Sequence, residues 1–365
     1  MKKPSIAFAA CMLACMLLSF SALSQGCVAI RNLTGFGQFS LPQANQDPVK
    51  WLGATTIRYS QFHDTYLGSD NLDVPDADRT FSQTLIVDFT LARIYENGWS
   101  VAIDIPLMSA TRRNWQDHAV AADSNKTKYT TRAFGLSDIR VSVYKWLLDV
   151  NKPHRGNIQV GLGLKFASGD YRYQDYFHRK GGTVLAPVNF TLQPGDGGTG
   201  ITTELNAFYA LTKSVNLFAN GFYLFNPRDQ NGTNNTTGRT PSAAEKEATA
   251  DINSVADAFT VRGGANYTMR DLVFWAGFRF EGSPKHDAIG DSNGQRRAGY
   301  TVSIEPGINY KFKRSILFAF VPISLYGTTK HTVADERVTD ISGIYRPSPG
   351  GIVPTQIYVG LVLRR

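Results

Sequence analysis

The chain has 365 residues, a formal net charge of +8, 42% hydrophobic residues and three cysteines. Lys and Arg are spread along the sequence and never cluster with interleaved aromatics, which excludes a typical nucleic-acid-binding surface. Beyond the first two dozen residues, no apolar run reaches the ~18 residues that a transmembrane helix needs. The richest run, Ile316 to Leu325, is about half that length and contains Pro322. A helical membrane protein is therefore excluded.

The N-terminus has the pattern of a secretory signal. Lys2 and Lys3 precede an apolar run from Ile6 to Ala22, and small residues stand at the expected cleavage position. We therefore expect residues 1–24 to be a signal peptide that is removed on export. The alternative is a lipoprotein acylated on Cys27, although the residues before this cysteine do not match an acylation signal. Cleavage leaves one cysteine, so the exported chain cannot form an internal disulfide.

Apolar residues occupy alternate positions in segment after segment of the remaining chain. The segment from Asn157 to Ser168 places Ile158, Val160 and Leu162 on one face, with glycines or polar residues on the other. This alternation predicts β-strands that have one apolar face and one polar face. The predicted strands are 52–66, 79–95, 98–106, 135–148, 157–168, 200–211, 214–226, 256–269, 271–282, 297–311, 315–327 and 354–364.

The connections between these strands alternate in length without exception. Short links lie at 96–98, 149–156, 212–213, 270 and 311–314, and long links lie at 67–78, 107–134, 169–199, 227–255, 283–296 and 328–353. Short periplasmic turns and long extracellular loops on an even number of strands are typical of outer-membrane barrels. A soluble β-sandwich gives no reason for two length classes. We therefore predict an all-β fold, a transmembrane antiparallel up-and-down β-barrel of about twelve strands, formed by residues 51–365 in the outer membrane of a Gram-negative bacterium.

If the apolar faces meet lipid, the other faces line the lumen. This assignment depends on strand register, because a slip of one residue would turn every side chain outward. Charges of both signs in the lumen favour either a selective lining for polar or anionic solutes or an internal ion-pair network that stiffens a narrow barrel. The predicted lining residues are Arg58, Asp88, Asp104, Arg140, Lys165, Phe218, Arg262, Trp275, Arg279 and Glu305.

The segment before the first strand, residues 25–50, is too apolar for a flexible tail. Val28, Ile30 and Phe36 lie within it, together with Arg31. We expect this segment to fold into the lumen as a plug. The alternatives are an extra strand or a periplasmic arm.

Catalytic and metal sites are not expected. Most histidines fall in connections whose geometry the sequence does not fix, and the adjacent pair His63-Asp64 would point to opposite faces of a strand. No His or Cys spacing matches a metal site. We therefore predict no enzymatic activity and no cofactor. The connection histidines are His118, His154, His178, His286 and His331.

Several short motifs carry a resemblance to a known family. They are GLSDIRVSVYKWLL from Gly135, GLGLKFASGDY from Gly161, LQPGDGG from Leu192 and EPGINY from Glu305. With these motifs the chain resembles the outer-membrane barrel family named for meta-pathway phenol degradation, which is similar in character to the long-chain fatty-acid channels. The resemblance implies a barrel that imports small hydrophobic or aromatic compounds and holds its N-terminal segment inside.

The resemblance also implies two local features. A strand-to-loop corner falls on Lys165 to Gly169, and an extracellular loop signature falls on Leu192 to Gly198. The sequence departs from the family at Ala167-Ser168, where Pro-Thr is usual, and at Arg364-Arg365, where many barrels end in an aromatic residue.

We predict that the protein is an outer-membrane channel or transporter for the diffusion of small, hydrophobic or aromatic molecules. Its partners would be outer-membrane lipid and a small-molecule solute, with no nucleic acid. The alternative is a structural or adhesive barrel whose long extracellular loops bind a partner.

Overall fold

The structure is a computed structural model that describes residues 50–118 and 126–365. Almost all of its regular structure is β. In chain order the elements are β1 (Trp51–Phe62), β2 (Thr65–Leu67), β3 (Asp70–Asn71), β4 (Phe81–Ile94), β5 (Trp99–Asn114), β6 (Tyr129–Leu136), β7 (Arg140–Trp146), β8 (Gly156–Lys165), β9 (Gln174–Arg179), β10 (Gly182–Pro187), β11 (Gly200–Ala210), β12 (Val215–Phe225), β13 (Gln230–Asn234), α1 (Ala243–Glu247), β14 (Ile252–Ser254), β15 (Ala258–Met269), β16 (Leu272–Ser283), β17 (Gly299–Lys311), β18 (Ser315–Phe320), β19 (Ile323–Thr329), α2 (Val333–Ser342), β20 (Gly350–Gly351) and β21 (Thr355–Arg364).

Fourteen strand segments form one antiparallel sheet that closes on itself. Neighbours in the sheet follow one another along the chain, and the ring closes where β1 pairs with β21, from Leu52 opposite Arg364 to Gln61 opposite Thr355. β6 and β7 continue one another beside β5, and β18 and β19 do the same beside β17. Within the described residues the wall therefore has twelve strands, and the predicted barrel is confirmed.

The two interrupted strands each break beside a proline of the neighbouring strand. Between β6 and β7, the Ser137 N–H donates to the Pro106 carbonyl at 2.8 Å. Between β18 and β19, the Val321 N–H donates to the Pro306 carbonyl at 3.0 Å, just before Pro322. A proline has no N–H to donate to a neighbouring strand, so the hydrogen-bond ladder is interrupted beside it.

The strands extend further outward than the sequence predicts. β5 continues to Asn114 although the predicted strand stops at residue 106, and β6 begins at Tyr129 although the predicted strand begins at residue 135. Outward-facing residues here are no longer consistently apolar, so the alternation that marks a lipid-facing strand fades while the hydrogen-bond ladder continues. The predicted long link at 107–134 is therefore shorter than expected.

The outer surface of the wall is apolar and the inner surface is mostly small, polar or charged. On β4, Phe89 and Leu91 are 43% and 50% exposed, whereas Asp88 and Ala92 are buried. The same alternation recurs on the other barrel strands. A closed barrel satisfies its strand hydrogen bonds internally, which makes an apolar exterior compatible with lipid. The protein is a β-barrel of the outer membrane.

The long connections carry structure of their own. β9 and β10 form a hairpin, β13 pairs with β14, and β2 joins β3 and β20. The short helices α1 and α2 contact each other through Ala244, Ala248 and Val338. Neither of these helices is long enough to cross a membrane, and no described helix has the length and apolar character to do so.

Candidate solute pathway

The first buried charge cluster lies midway through the barrel around Arg140. Arg140 Nη2 donates to Asp104 Oδ2 on β5 at 2.8 Å, and Nη1 donates to Glu204 Oε1 on β11 at 2.5 Å. The hydroxyls of Tyr144 and Thr90 donate to the same two carboxylates at 3.0 and 2.6 Å. These bonds connect four strands of the wall across the lumen side.

A second cluster is centred on Arg279 of β16. Its Nε donates to Glu305 Oε2 at 2.5 Å, and its Nη1 donates to the Tyr358 hydroxyl at 3.2 Å and to Glu281 Oε2 at 3.3 Å. Arg262 lies directly opposite Arg279 in the strand register and pairs with the same Glu305 carboxylate. Glu305 therefore offsets the repulsion between two buried like charges.

Aromatic rings close the lumen on the periplasmic side of these charges. Phe320 stacks on Tyr358 with 4.3 Å between ring centroids and an angle of 11°. Trp275 lies 5.3 Å from Phe320 and meets Phe218 edge-on at 5.8 Å. We call Phe218, Trp275, Phe318, Phe320 and Tyr358 the aromatic layer. It belongs to one continuous buried cluster that reaches from β16 to Tyr144 on the opposite side of the barrel.

The sequence-predicted lining residues occupy this interior. All are buried except Phe218, which is half-buried in the aromatic layer. The structure places Phe218 and Trp275 in the aromatic layer, and the two ion-pair clusters hold Asp104, Arg140, Arg262, Arg279 and Glu305, an arrangement that favours the stiffening network among the two interpretations. Arg58 lies 5.9 Å from the ring of Tyr358, and Asp88 is buried opposite Thr56 of β1. Lys165 stands apart, nearer the outer loops. The proposed plug residues Val28, Ile30, Arg31 and Phe36 lie outside the described residues.

Sequence reasoning missed several members of these clusters. Glu204 and Glu281 face inward on predicted strands, so the alternating pattern places these carboxylates on the correct face. Tyr144 and Tyr358 are also buried, although aromatic residues of such barrels are expected at the lipid–water interfaces. The missing information was contact across non-adjacent strands, which pattern alone does not provide. Phe320 is different, because both faces of its strand carry apolar side chains, so alternation does not show which face is inward.

The motifs that carry the family resemblance meet at the outer end of the barrel. Lys165 pairs with Asp196 of the loop signature and lies 3.7 Å from Asp138. The Asp138 carboxylate accepts backbone N–H bonds from Gly169 at 3.0 Å and from Asp196 at 3.1 Å. The strand-to-loop corner and the loop signature are thus tied together through three charged side chains.

This contact needs glycine at position 195. A Cβ built on Gly195 would lie 2.3 Å from the carbonyl oxygen of Gly169, which is backbone and cannot give way. We expect Gly195→Ala to detach the loop from the corner and to increase cleavage of residues 169–199 by an added protease. Gly181→Ala in the same loop is the control, because its Cβ would meet nothing within 4 Å. Equal cleavage of the two variants would contradict the assignment.

The loop between β8 and β11 folds into the barrel mouth. Phe177, Val188 and Leu192 are buried against inward-facing Ile86 and Met108 of the wall, in a second apolar cluster. Apolar side chains on the inner face of the outer half of the wall therefore hold an inserted loop. The hairpin of β9 and β10 contributes Phe177 and Ala186 to this cluster and so packs against the inner face of the wall.

His118 contributes to this docking. Its Nδ1 accepts a hydrogen bond from the backbone N–H of His178 at 3.2 Å, and its ring lies 5.2 Å from the ring of Phe177. Burial lowers the pKa of His118 from 6.5 to about 4, with smaller effects from neighbouring charges. These charged or titratable neighbours are Asp117, Asp175, His178 and Arg179.

The lowered pKa predicts that acid loosens the hairpin. Because the docked state favours neutral His118, its stabilising effect is complete above pH 6.5 and is lost as the pH falls towards about 4. We expect amide-exchange protection of residues 174–187, corrected for intrinsic rates, to fall over this range. His118→Gln keeps an acceptor but cannot take up a proton, so its protection should vary less with pH. An unchanged pH dependence in this variant would show that another group is responsible.

A cavity of about 160 Å³ lies between the inserted loop and the two buried charge clusters. Its wall is mixed: Ile86, Met108 and Phe222 supply apolar surface, while Arg140 and Lys165 supply charge. Within the described residues, no group of three or more His, Cys, Asp or Glu side chains is arranged to hold a metal ion. The cavity can hold a small molecule that presents both apolar and polar surface.

The closed wall and the apolar exterior define an outer-membrane β-barrel, and buried side chains occupy much of its lumen. The structure is similar to the crystal structure of an outer membrane channel from Pseudomonas putida F1, with a TM-score of 0.58 at 10% identity, over 87% of this chain and 97% of that one. At this identity the similarity supports the fold alone.

Two further similarities are lower. The Ralstonia pickettii toluene transporter TbuX has a TM-score of 0.41 at 10% identity, covering 88% of this chain and 90% of that one. The monoaromatic hydrocarbon channel CymD has a TM-score of 0.40 at 10% identity, covering 95% and 99%. No protein-family model and no curated protein sequence matches the chain. The resemblance to the phenol-degradation family is therefore not confirmed.

Proposed function

We propose that the protein is a narrow outer-membrane channel through which small apolar or aromatic molecules cross by gated diffusion. The observation that carries this proposal is the cavity of about 160 Å³, which lies inside the barrel between the inserted loop and the buried charge clusters. A cavity in this position is a stopping point on a transmembrane route. We propose no catalytic role for the chain.

The side chains that line the cavity and those on its periplasmic side suggest why passage is selective. Arg140 lies 5.4 Å from the ring of Phe222, and Arg262 lies 5.3 Å from the ring of Phe320, so cations and ring faces alternate along the lumen. Aromatic solutes can exchange for such ring contacts at little cost, whereas bulk water and large sugars cannot. Movement of these side chains would open the route.

We also propose that residues 25–50 fold into the lumen as a plug. The N–H groups of Lys50 and Trp51 both donate to the carbonyl of Arg365, so the chain enters the wall at its periplasmic edge, beside the mouth of the lumen. Deletion of residues 27–48 should raise single-channel conductance, and an unchanged conductance would argue against the plug.

Liposome swelling with neutral solutes of graded size tests the proposed function. A channel should admit small solutes and exclude larger ones, at rates above those of protein-free liposomes. A structural or adhesive barrel would admit none of them. The protein used must show heat-modifiable gel mobility, so that a negative result reports on a folded barrel.

A further inference from the structure

The outer loops surround a second space above the cavity, which we call the outer vestibule. Its volume is about 340 Å³, and the charged residues of its wall come from five separate parts of the chain. The charged lining residues are Arg179, Arg239, Arg297, Arg346, Asp117 and Asp335. Arginines therefore outnumber carboxylates on this wall.

Two of the four arginines already form ion pairs with carboxylates. Glu245, just behind the wall, binds Arg239 at 2.7 Å and Arg346 at 3.0 Å. The hydrogen bond from Arg239 is the main reason why the pKa of Glu245 falls to about 2, so this carboxylate is charged at neutral pH. Arg346 also pairs with Asp335 at 2.9 Å, and Asp117 pairs with Arg112 at 2.7 Å.

The remaining two arginines form no ion pair with any described residue. Arg179 donates through Nη2 to the Thr237 hydroxyl at 3.0 Å and to the Thr237 carbonyl, while its buried Nε has no described partner. The Arg297 guanidinium lies 5.6 Å from the ring centroid of Phe190. Both guanidinium groups thus face the outer vestibule without a carboxylate partner among the described residues.

Phe190 and Arg297 line both the outer vestibule and the inner cavity. They stand between the two spaces. A solute that moves inward must pass a flat ring and a forked cation side by side. A carboxylate accepts two parallel hydrogen bonds from guanidinium, and an aromatic ring packs on a phenyl face.

We propose that the outer vestibule selects small aromatic carboxylates, with the carboxylate on Arg297, the ring against Phe190 and Arg179 adding to the positive potential. This inference rests on the proposed channel function and specifies its solute. Charges enclosed by protein walls act more strongly than charges in bulk water, so the vestibule concentrates anions ahead of the passage to the cavity.

Three solutes of nearly identical shape provide the test: benzoate, neutral benzamide and cationic benzamidinium. Initial uptake into proteoliposomes at neutral pH is measured for each, with uptake by protein-free liposomes subtracted. We expect benzoate to be taken up about tenfold faster than benzamide, the factor that one charge-assisted contact typically supplies. Benzamidinium should be the slowest of the three.

Variants separate charge from structure. Arg297→Gln should abolish the preference, so that the variant takes up benzoate no faster than it takes up benzamide, and Arg297→Lys should keep much of the preference for benzoate. Arg179→Gln should weaken this preference. The matched control is Arg337→Gln on α2, because Arg337 is exposed, bonds to Asn293 and does not line the vestibule.

The possible outcomes test the carboxylate preference separately from the proposed channel function. Equal uptake of all three solutes would overturn the carboxylate assignment and leave the channel function standing. So would a preference for benzoate that survives Arg297→Gln. If no solute exceeds the protein-free rate, the channel function itself fails and the inference fails with it.

Discussion

Trp275→Ala should raise the single-channel conductance of the barrel several-fold. The indole packs between Phe218 and Phe320 and donates through Nε1 to Asn309 Oδ1 at 3.2 Å. It also lies so close to the backbone that a Cβ on Gly307 would be 2.2 Å from its ring. Gly307 has no side chain with which to fill the space that the truncation leaves, so water would enter it. Planar-bilayer recording at fixed voltage measures the effect.

Trp99→Ala is the control for this experiment. Trp99 is 44% exposed on the outer surface, beneath the Lys145 ammonium, and does not contribute to the lumen. Its truncation should leave conductance unchanged while both variants keep heat-modifiable gel mobility. Equal conductance of the wild type and Trp275→Ala would show that the aromatic layer does not limit the flow of ions.

Arg279→Met should lower the free energy of unfolding by about 3–5 kcal/mol, the usual cost of removing one partner from a buried ion pair. Arg279 is fully buried, and its loss leaves Glu281 and Glu305 with less compensation in the lumen. Urea unfolding in lipid vesicles, followed by tryptophan fluorescence, measures the change. Arg279→Lys should recover part of the loss, because it restores the charge without the fork.

An exposed ion pair provides the comparison. Lys152 lies 3.7 Å from Asp149 in a periplasmic turn, and both side chains are largely exposed. Lys152→Met should therefore change the free energy of unfolding by less than about 1 kcal/mol. If Arg279→Met lowered the free energy of unfolding no more than Lys152→Met, the cluster around Arg279 would not behave as a buried ion-pair network.

The sequence predicted the wall much better than its contents. Alternation from residue 52 to 364 depends on contact with two different media, so it is visible in single strands and gives strand number and facing directly. Ile86 and Met108 are exceptions that alternation does not explain. Both are apolar but face inward, and only an apolar element inside the barrel explains them; the alternating pattern alone does not reveal the inserted loop.

The outer vestibule could not have been predicted in the same way. Arg179, Arg239, Arg297 and Arg346 lie in separate stretches of loop, with no spacing in the sequence that relates them. Only the folded loops bring them to one space. By contrast, Asp104 and Arg140 are opposite each other on adjacent strands, so a correct register predicts their pairing without any knowledge of loops.

The length of β5 bears on where a solute first meets the protein. Sixteen residues in an extended strand span roughly 54 Å. At the usual barrel tilt this is roughly 40 Å along the membrane normal, against an apolar band of about 25 Å. The wall thus projects beyond the hydrocarbon on the outer side. A solute that arrives from outside therefore meets the charged mouth before it meets the apolar part of the membrane.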